Sequence, residues 1–283
     1  LERSYFLHVP EGLKANAPLM VVIHGYTGSA KGIMDYSKMN DLADKNRFIV
    51  VYPQGTVDTR ENAFFNVGYY FHSESKVDDV AYIRALVMQL QTTYQTSPEK
   101  TFATGMSNGG DMSYLLACTS SDLFRAVAPI AGVMMKETLE SCNPQRPIPI
   151  FEIHGTDDQV SLYDGDMEDQ GGWGPYYDMP STISFWVKKH QLNILETIQL
   201  PDKDQDDGSV VIFERYFSQG NINEVWFYKI IGGTHTWPGG VINVQWWKNP
   251  LTWYYLNYQM VGNNDIDTSK VIWEFFSNYI YKD

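Results

Sequence analysis

Ser107 stands at the centre of Gly105-Met106-Ser107-Asn108-Gly109, a G-x-S-x-G pentapeptide. The run Thr101–Thr104 ahead of it predicts a short strand, and Asp111–Cys118 behind it predicts a helix. A serine on a sharp strand-to-helix turn has its hydroxyl pushed out of the sheet edge, and the small flanking residues suit a turn too tight for large side chains. A hydroxyl is a poor nucleophile at neutral pH, so it needs a base to take its proton and an acid to orient that base. Where such a turn carries a triad, the chain order is serine, then acid, then histidine.

The sequence supplies that order. His235 lies in a Gly-rich segment, residues 232–240, that follows a predicted strand over Glu224–Ile231. Asp157 and Asp158 close the string His154-Gly-Thr-Asp-Asp158, which follows a predicted strand over Ile148–Ile153. Ser107 is therefore the candidate nucleophile, His235 the base, and one of the two neighbouring aspartates the acid; spacing from the strand end does not separate the pair. An oxyanion hole requires two backbone N–H groups, one from the residue after the nucleophile and one from a loop after an early strand. Asn108 and Tyr26, the latter in His24-Gly25-Tyr26-Thr27-Gly28, are the candidates. His24 and His154, each before a glycine at a strand end, read as structural, shaping their turns; His8, His72 and His190 have no chemical context.

The elements that must position these residues alternate between apolar strands and helical patterns. Pro18–Ile23 and Phe48–Tyr52 are continuous apolar runs, the mark of strands buried on both faces, and Ala126–Ile130 reads as a further strand. Helices are predicted over Tyr36–Lys45, from Asp78 to about Tyr94, over Ser181–His190 and over Thr268–Tyr281. Residues 60–77 read as an irregular aromatic loop, and 194–217 as a hairpin around an acidic turn. The pattern predicts an α/β fold: a mostly parallel sheet with helices on both faces, its site at the carboxyl ends of the strands. With no repeats, low-complexity segment or linker, residues 1–283 read as a single domain.

Composition narrows the function classes. A net charge of −13 disfavours nucleic acid and anionic membranes as partners, and no apolar run approaches the roughly 20 residues of a membrane span. The chain begins at Leu1 and reads as a mature or trimmed form. Of two cysteines, Cys118 and Cys142, spacing alone leaves both a disulfide and two free thiols open. The acidic run Asp202–Gly208 resembles the start of a calcium loop, but the glycine falls one place late and Ile212 and Phe213 stand where a bidentate carboxylate belongs; it reads as a solvated turn. No metal and no cofactor is implied. Trp237, Trp246 and Trp247, close after His235, and Trp173 in a Gly-rich loop are candidates for contact with substrate.

Taken together, His24-Gly25, residues 52–55 (YPQG), 105–110 (GMSNGG), 126–132 (AVAPIAG), 154–158 (HGTDD) and 232–239 (GGTHTWPG) resemble the polyhydroxybutyrate depolymerase and feruloyl esterase group of secreted α/β-hydrolases, which overlaps carbohydrate esterases acting on acylated xylan. The resemblance runs over roughly residues 5–280. It implies the α/β-hydrolase fold and selects Asp158, the fifth place of His-Gly-Thr-x-Asp, as the acid. It also implies a Cys118–Cys142 disulfide and a secreted or periplasmic protein. The chain departs from the group at Tyr26, where members often have Cys, at Gln159, where many have Pro, and in the 60s loop, which lacks cysteines. The expectation is a monomeric serine ester hydrolase acting on feruloyl or acetyl esters of plant polysaccharide, or on a short-chain polyester. The rivals are a serine peptidase of the prolyl-oligopeptidase kind and a catalytically silent hydrolase fold that binds carbohydrate.

Overall fold

The computed structural model describes residues 2–240 and 262–280. Its strands are β1 (Tyr5–His8), β2 (Leu19–Ile23), β3 (Ile49–Pro53), β4 (Thr56–Val57), β5 (Ala63–Phe64), β6 (Thr101–Met106), β7 (Ala126–Ile130), β8 (Ile150–Gly155), β9 (Ile194–Gln199), β10 (Val210–Ser218) and β11 (Asn221–Ile231). All but β4 and β5 form one 9-stranded sheet in the order β1-β3-β2-β6-β7-β8-β11-β10-β9. The six central strands are parallel; β1 at one edge and the β10–β9 pair at the other run antiparallel. The α/β architecture expected from the sequence is thus present, with an antiparallel extension built from the hairpin read at 194–217.

Side-chain alternation along each buried strand divides the core. Leu19, Val21 and Ile23 of β2 face one layer; Met20 and Val22 face the other. The first layer is covered by α3 (Asp79–Tyr94), α4 (Asn108–Thr119) and α6 (Met179–Lys189), through Ile83, Val87, Met112, Leu116, Ile183 and Trp186. The second is covered by α1 (Ala30–Ser37), α2 (Met39–Asn46) and α7 (Thr268–Ser277), through Ile33, Ala43, Ile272 and Phe275. Aspartate caps start three of these helices: Asp78, Asp178 and Asp267 accept the N–H groups of Ala81, Ser181 and Lys270.

The structure differs from the sequence-based expectation at three places. The single helix predicted over Tyr36–Lys45 is two, broken at Lys38, whose φ of 51° closes α1 in the left-handed region. The 60s segment is not wholly irregular, since Thr56↔Phe64 and Val57↔Ala63 pair as a short ribbon. A short helix, α5 (Lys136–Ser141), follows β7 where none was expected. The acidic turn after β9 is held by a neighbouring segment: Asp265 accepts the N–H groups of Lys203 and Asp204, and Asn264 donates to Asp204 and Asp207.

Register carries the site. In the β2–β6 pair Ile23 aligns with Gly105, so the chain leaving β2 and the chain leaving β6 emerge side by side. In the β8–β11 pair Gly155 aligns with Ile230, which does the same for the segments that hold Asp158 and His235. A disulfide joins Cys118, in the last turn of α4, to Cys142, just beyond α5. Among the described residues no helix is long and apolar enough to cross a membrane.

Candidate active site

Ser107 occupies the turn between β6 and α4 with φ 56° and ψ −123°. For a residue with a Cβ that conformation costs on the order of 1–3 kcal/mol and persists only where the surroundings enforce it. They do so here. The Ser107 N–H donates to the Ile130 carbonyl at the end of β7 (2.9 Å), and the Ser107 carbonyl accepts from Asp111 in the first turn of α4 (2.9 Å). Behind the turn, Gly109 lies so close to β2 that a Cβ would collide with the Ile23 carbonyl. The small residues of the pentapeptide are required by this packing of helix start against strand end.

Asn108 is the first residue of α4, so its N–H has no partner within the helix and lies at the positive end of the helix dipole. Its side chain is already committed: Oδ1 accepts the Phe65 N–H (2.7 Å) and Nδ2 donates to the Phe65 carbonyl (2.9 Å). What Asn108 has left for an oxyanion is its backbone. Gly25 faces Ser107 across the gap; a Cβ on it would stand 3.2 Å from the Ser107 Cβ. Tyr26 follows directly, and its loop is pinned from several sides. Thr27 donates to Ala63, and Gly28 donates to Gly25. The His24 ring lies beneath: Nε2 accepts the Gly55 N–H (3.0 Å), which leaves Nδ1 to donate to the Gly25 carbonyl (2.7 Å). Burial pushes the His24 pKa down to about 4, against the opposing pull of the Gly25 carbonyl, so the ring stays neutral and keeps this tautomer.

Asp158 is buried and accepts from His235, Nδ1 to Oδ2, at 2.8 Å. Its other oxygen accepts the N–H groups of Val160 and Ser161, both at 2.8 Å. Burial pushes the Asp158 pKa up, but the charge and hydrogen bond of His235, the His154 charge and the backbone N–H groups outweigh it, and the net shift is downward. Asp157 is exposed and accepts from Thr156, so of the two aspartates it is Asp158 that is hydrogen-bonded to His235. Ser107 shares a small cavity with Val160 and Ser161, the residues that hold the Asp158 carboxylate, which places the serine turn and the Asp158–His235 pair at one end of the sheet.

His154 sits behind the acid. Its Nε2 donates to the Ser161 carbonyl (2.7 Å) and lies 3.7 Å from Asp158 Oδ2, while its Nδ1 meets Glu152 Oε1 at 3.0 Å. Burial pushes Glu152 up to about 7; burial also lowers His154, but Glu152, Asp158 and the Ser161 carbonyl raise it overall to about 8. The pair therefore holds at least one proton at neutral pH and fixes the loop that presents Asp158. His154 thus links Glu152 to the Ser161 carbonyl behind Asp158.

Two acidic groups, one held against the Tyr26 loop and one beside Ser107, carry no signal in the sequence. Asp58 accepts from Tyr26 Oη (2.6 Å) and from His72 Nε2 (3.1 Å), so a second Asp–His contact braces the oxyanion loop. Asp111 accepts from Tyr69 Oη (2.6 Å) and the Val133 N–H (2.6 Å) beside Ser107. Asp58 and His72 sit in runs with no motif, and Asp111 follows the serine pentapeptide without being part of it; only the three-dimensional meeting of distant loops joins them to their partners.

The tryptophans divide. Trp173 lines the cavity at Ser107, within an aromatic group that includes Tyr26, Tyr69 and Phe71. Trp237 is placed otherwise than expected of a cleft residue: it is 2% exposed, packs in the core layer under α1 and α7, and its Nε1–H is taken by Ser269 Oγ (3.2 Å). Among the described residues its neighbours engage it as a core side chain. Trp246 and Trp247 lie outside the described residues. Among the described residues no cluster of His, Cys, Asp and Glu could hold a metal ion.

Known proteins share both sequence and fold with this chain. Poly(3-hydroxyalkanoate) depolymerase C of Paucimonas lemoignei is 30% identical over 181 residues, which is 64% of this chain and 42% of that protein. Feruloyl esterase B of Piromyces equi is 30% identical over 192 residues, 66% of this chain and 35% of that protein. The chain thus spans less than half the length of these two relatives. Among solved structures, an acetyl xylan esterase from Aspergillus awamori superposes with a TM-score of 0.59 at 19% identity, over 82% of this chain and 88% of that one, a likeness of fold. The sheet order, the strained serine turn and these neighbours are those of an α/β-hydrolase. The family described as esterase PHB depolymerase matches residues 3–184, and the chain belongs to it.

Proposed function

We propose that the protein is a serine carboxylic-ester hydrolase that works through an acyl-enzyme. The observation that carries this reading is the His235 Nδ1–Asp158 Oδ2 hydrogen bond of 2.8 Å, formed beside a serine held at φ 56° on a helix N-terminus. Asp158 fixes the imidazole so that Nε2 is free to act as base. His235 takes the Ser107 proton as Oγ attacks the ester carbonyl carbon. The carbonyl oxygen gains charge and is met in this reading by the N–H groups of Asn108 and Tyr26; preorganised donors of this kind are where most of the rate enhancement of such sites arises. The tetrahedral intermediate collapses, the alcohol leaves with the proton from His235, and water releases the acid by the same steps in reverse order.

The substrate of this reading is a feruloyl or acetyl ester on a plant polysaccharide, or a short-chain polyester, as the names of the relatives suggest. The Cys118–Cys142 disulfide supports an oxidising, extracytoplasmic setting. Residues 1–283 serve as a single catalytic domain that requires neither cofactor nor metal. The test is Ser107→Ala assayed with p-nitrophenyl acetate. Activity should fall by roughly four orders of magnitude or more, with an unchanged circular dichroism spectrum. Undiminished turnover in that variant would overturn the reading.

A further inference from the structure

The cavity at Ser107 has a volume of about 10 Å3, which is the room of about one water molecule. Its inner lining is buried and fixed. Tyr69, Asp111, Val133 and Tyr176 are each less than 5% exposed. The Tyr69 hydroxyl donates to Asp111, and the Tyr176 hydroxyl accepts from the Leu162 N–H (3.1 Å), so neither phenol is free to swing aside. Trp173 is the half-exposed member and stands at the mouth. It too is held in place. Its ring meets Tyr69, Phe71 and Tyr26 edge-on at centroid distances of 5.0, 5.4 and 5.7 Å, and its carbonyl accepts the Tyr70 N–H (3.1 Å). The following residue, Gly174, donates to Asp169 Oδ1 (2.7 Å), which anchors the loop from behind.

An ester presents two arms to such a site. On a polysaccharide the alcohol arm is a chain far larger than this space, so the arm that enters beside Ser107 is the acyl arm. A methyl group matches one water in size; an aromatic ring on a propenoyl arm does not. A polyester continues on both sides of each bond and fits no better. Resting on the serine-esterase reading, we infer that Trp173, with Tyr69 and Tyr176, limits the acyl group to acetyl, and that the protein is a deacetylase of esterified sugars in preference to a feruloyl esterase or polyester depolymerase. The reaction balances without a further reactant. Ser107 Oγ bonds the acetyl carbon, the alkoxide leaves with the serine proton carried by His235, and water then yields acetate, a proton and free serine.

The experiment compares kcat/KM for p-nitrophenyl acetate, butyrate and hexanoate and for methyl ferulate, with wild type, Trp173→Ala and Trp173→Phe. In the wild type each added methylene should cost roughly ten-fold or more, with methyl ferulate lowest. Trp173→Ala should raise the ferulate-to-acetate ratio at least ten-fold, and Trp173→Phe should fall between. The wild-type series stands without the variants should Trp173→Ala fail to fold. Methyl ferulate turned over by the wild type as fast as acetate, with Ser107 labelled by a fluorophosphonate, would overturn the acetyl limit alone. No ester turnover and no labelling would overturn the esterase reading and this inference with it.

Discussion

Gly25 and Ser107 face each other so closely that a Cβ on the glycine would stand 3.2 Å from the serine Cβ and 3.7 Å from its Oγ. The two residues come from different strands, β2 and β6, and meet because Ile23 pairs with Gly105 in the sheet. The serine turn and the loop after β2 are thus set by strand register, and a side chain at position 25 would crowd the proposed site. Gly25→Ala is expected to lower kcat/KM for p-nitrophenyl acetate on the order of a hundred-fold, close to the loss of one oxyanion donor, with little change in urea midpoint. Activity within two-fold of wild type would contradict this placement.

His24 locks the same loop and gives a signature in stability. Its folded pKa of about 4 lies below the ordinary 6.5, so the folded state resists a proton that the unfolded chain accepts. The contribution of the neutral ring is fully present above pH 6.5 and is lost as pH falls towards 4, at up to about 1.4 kcal/mol per pH unit. His24→Gln should flatten the pH dependence of unfolding free energy between pH 6.5 and 4 relative to wild type. Parallel curves for the two proteins in urea titrations would refute the assignment.

Asp111 predicts the opposite slope. Burial lifts its carboxyl to about 7, against the hydrogen bonds of Tyr69 and Val133 and the charges of His235 and His154. A raised carboxyl favours the folded state fully below pH 3.8, and that advantage is lost as pH rises through about 7, again at up to about 1.4 kcal/mol per unit. Asp111→Asn carries no such titration. Its stability relative to wild type should therefore rise between pH 4 and 7.5, by up to about 4 kcal/mol. A difference constant across that range would show that Asp111 is not held protonated.

The disulfide closes a loop with a sequence separation of 24 residues between the end of the nucleophile helix and the end of α5. In the chain-entropy account such a closure stabilises by roughly 3 kcal/mol. Cys118→Ala/Cys142→Ala should lower the unfolding free energy by about that amount while the kcat of the folded enzyme is kept, since both sulfurs lie at the far end of α4 from Ser107. Equal urea midpoints for the variant and the oxidised wild type would rule out a stabilising role.

Much of this arrangement is written locally in the chain. Continuous apolar runs such as Leu19–Ile23 mark buried parallel strands, because nothing in them needs water. The glycines around Ser107 mark a turn that no bulkier chain could make. What was not legible depends on residues far apart in sequence. Lys38 breaks a helix without a glycine or proline: it takes the left-handed conformation, its N–H donating to the Met34 carbonyl, between two helices that both contact β3. Asp157 and Asp158 look alike until the bend after β8 turns one inward to His235 and the other to solvent. Asp58, His72, Tyr69 and Asp111 gain meaning only when the 60s loop folds over the start of α4. Trp237 was the reverse case, a residue close to the base in sequence whose side chain points into the core.

In the proposed mechanism Ser107 is the nucleophile, made so by His235 and Asp158. A fluorophosphonate probe followed by peptide mass mapping reads this out at the residue itself. A single covalent adduct on Ser107 is expected in the wild type, at least a hundred-fold slower labelling in His235→Ala, and none in Ser107→Ala. An adduct on another residue, or labelling that persists in Ser107→Ala, would refute the mechanism.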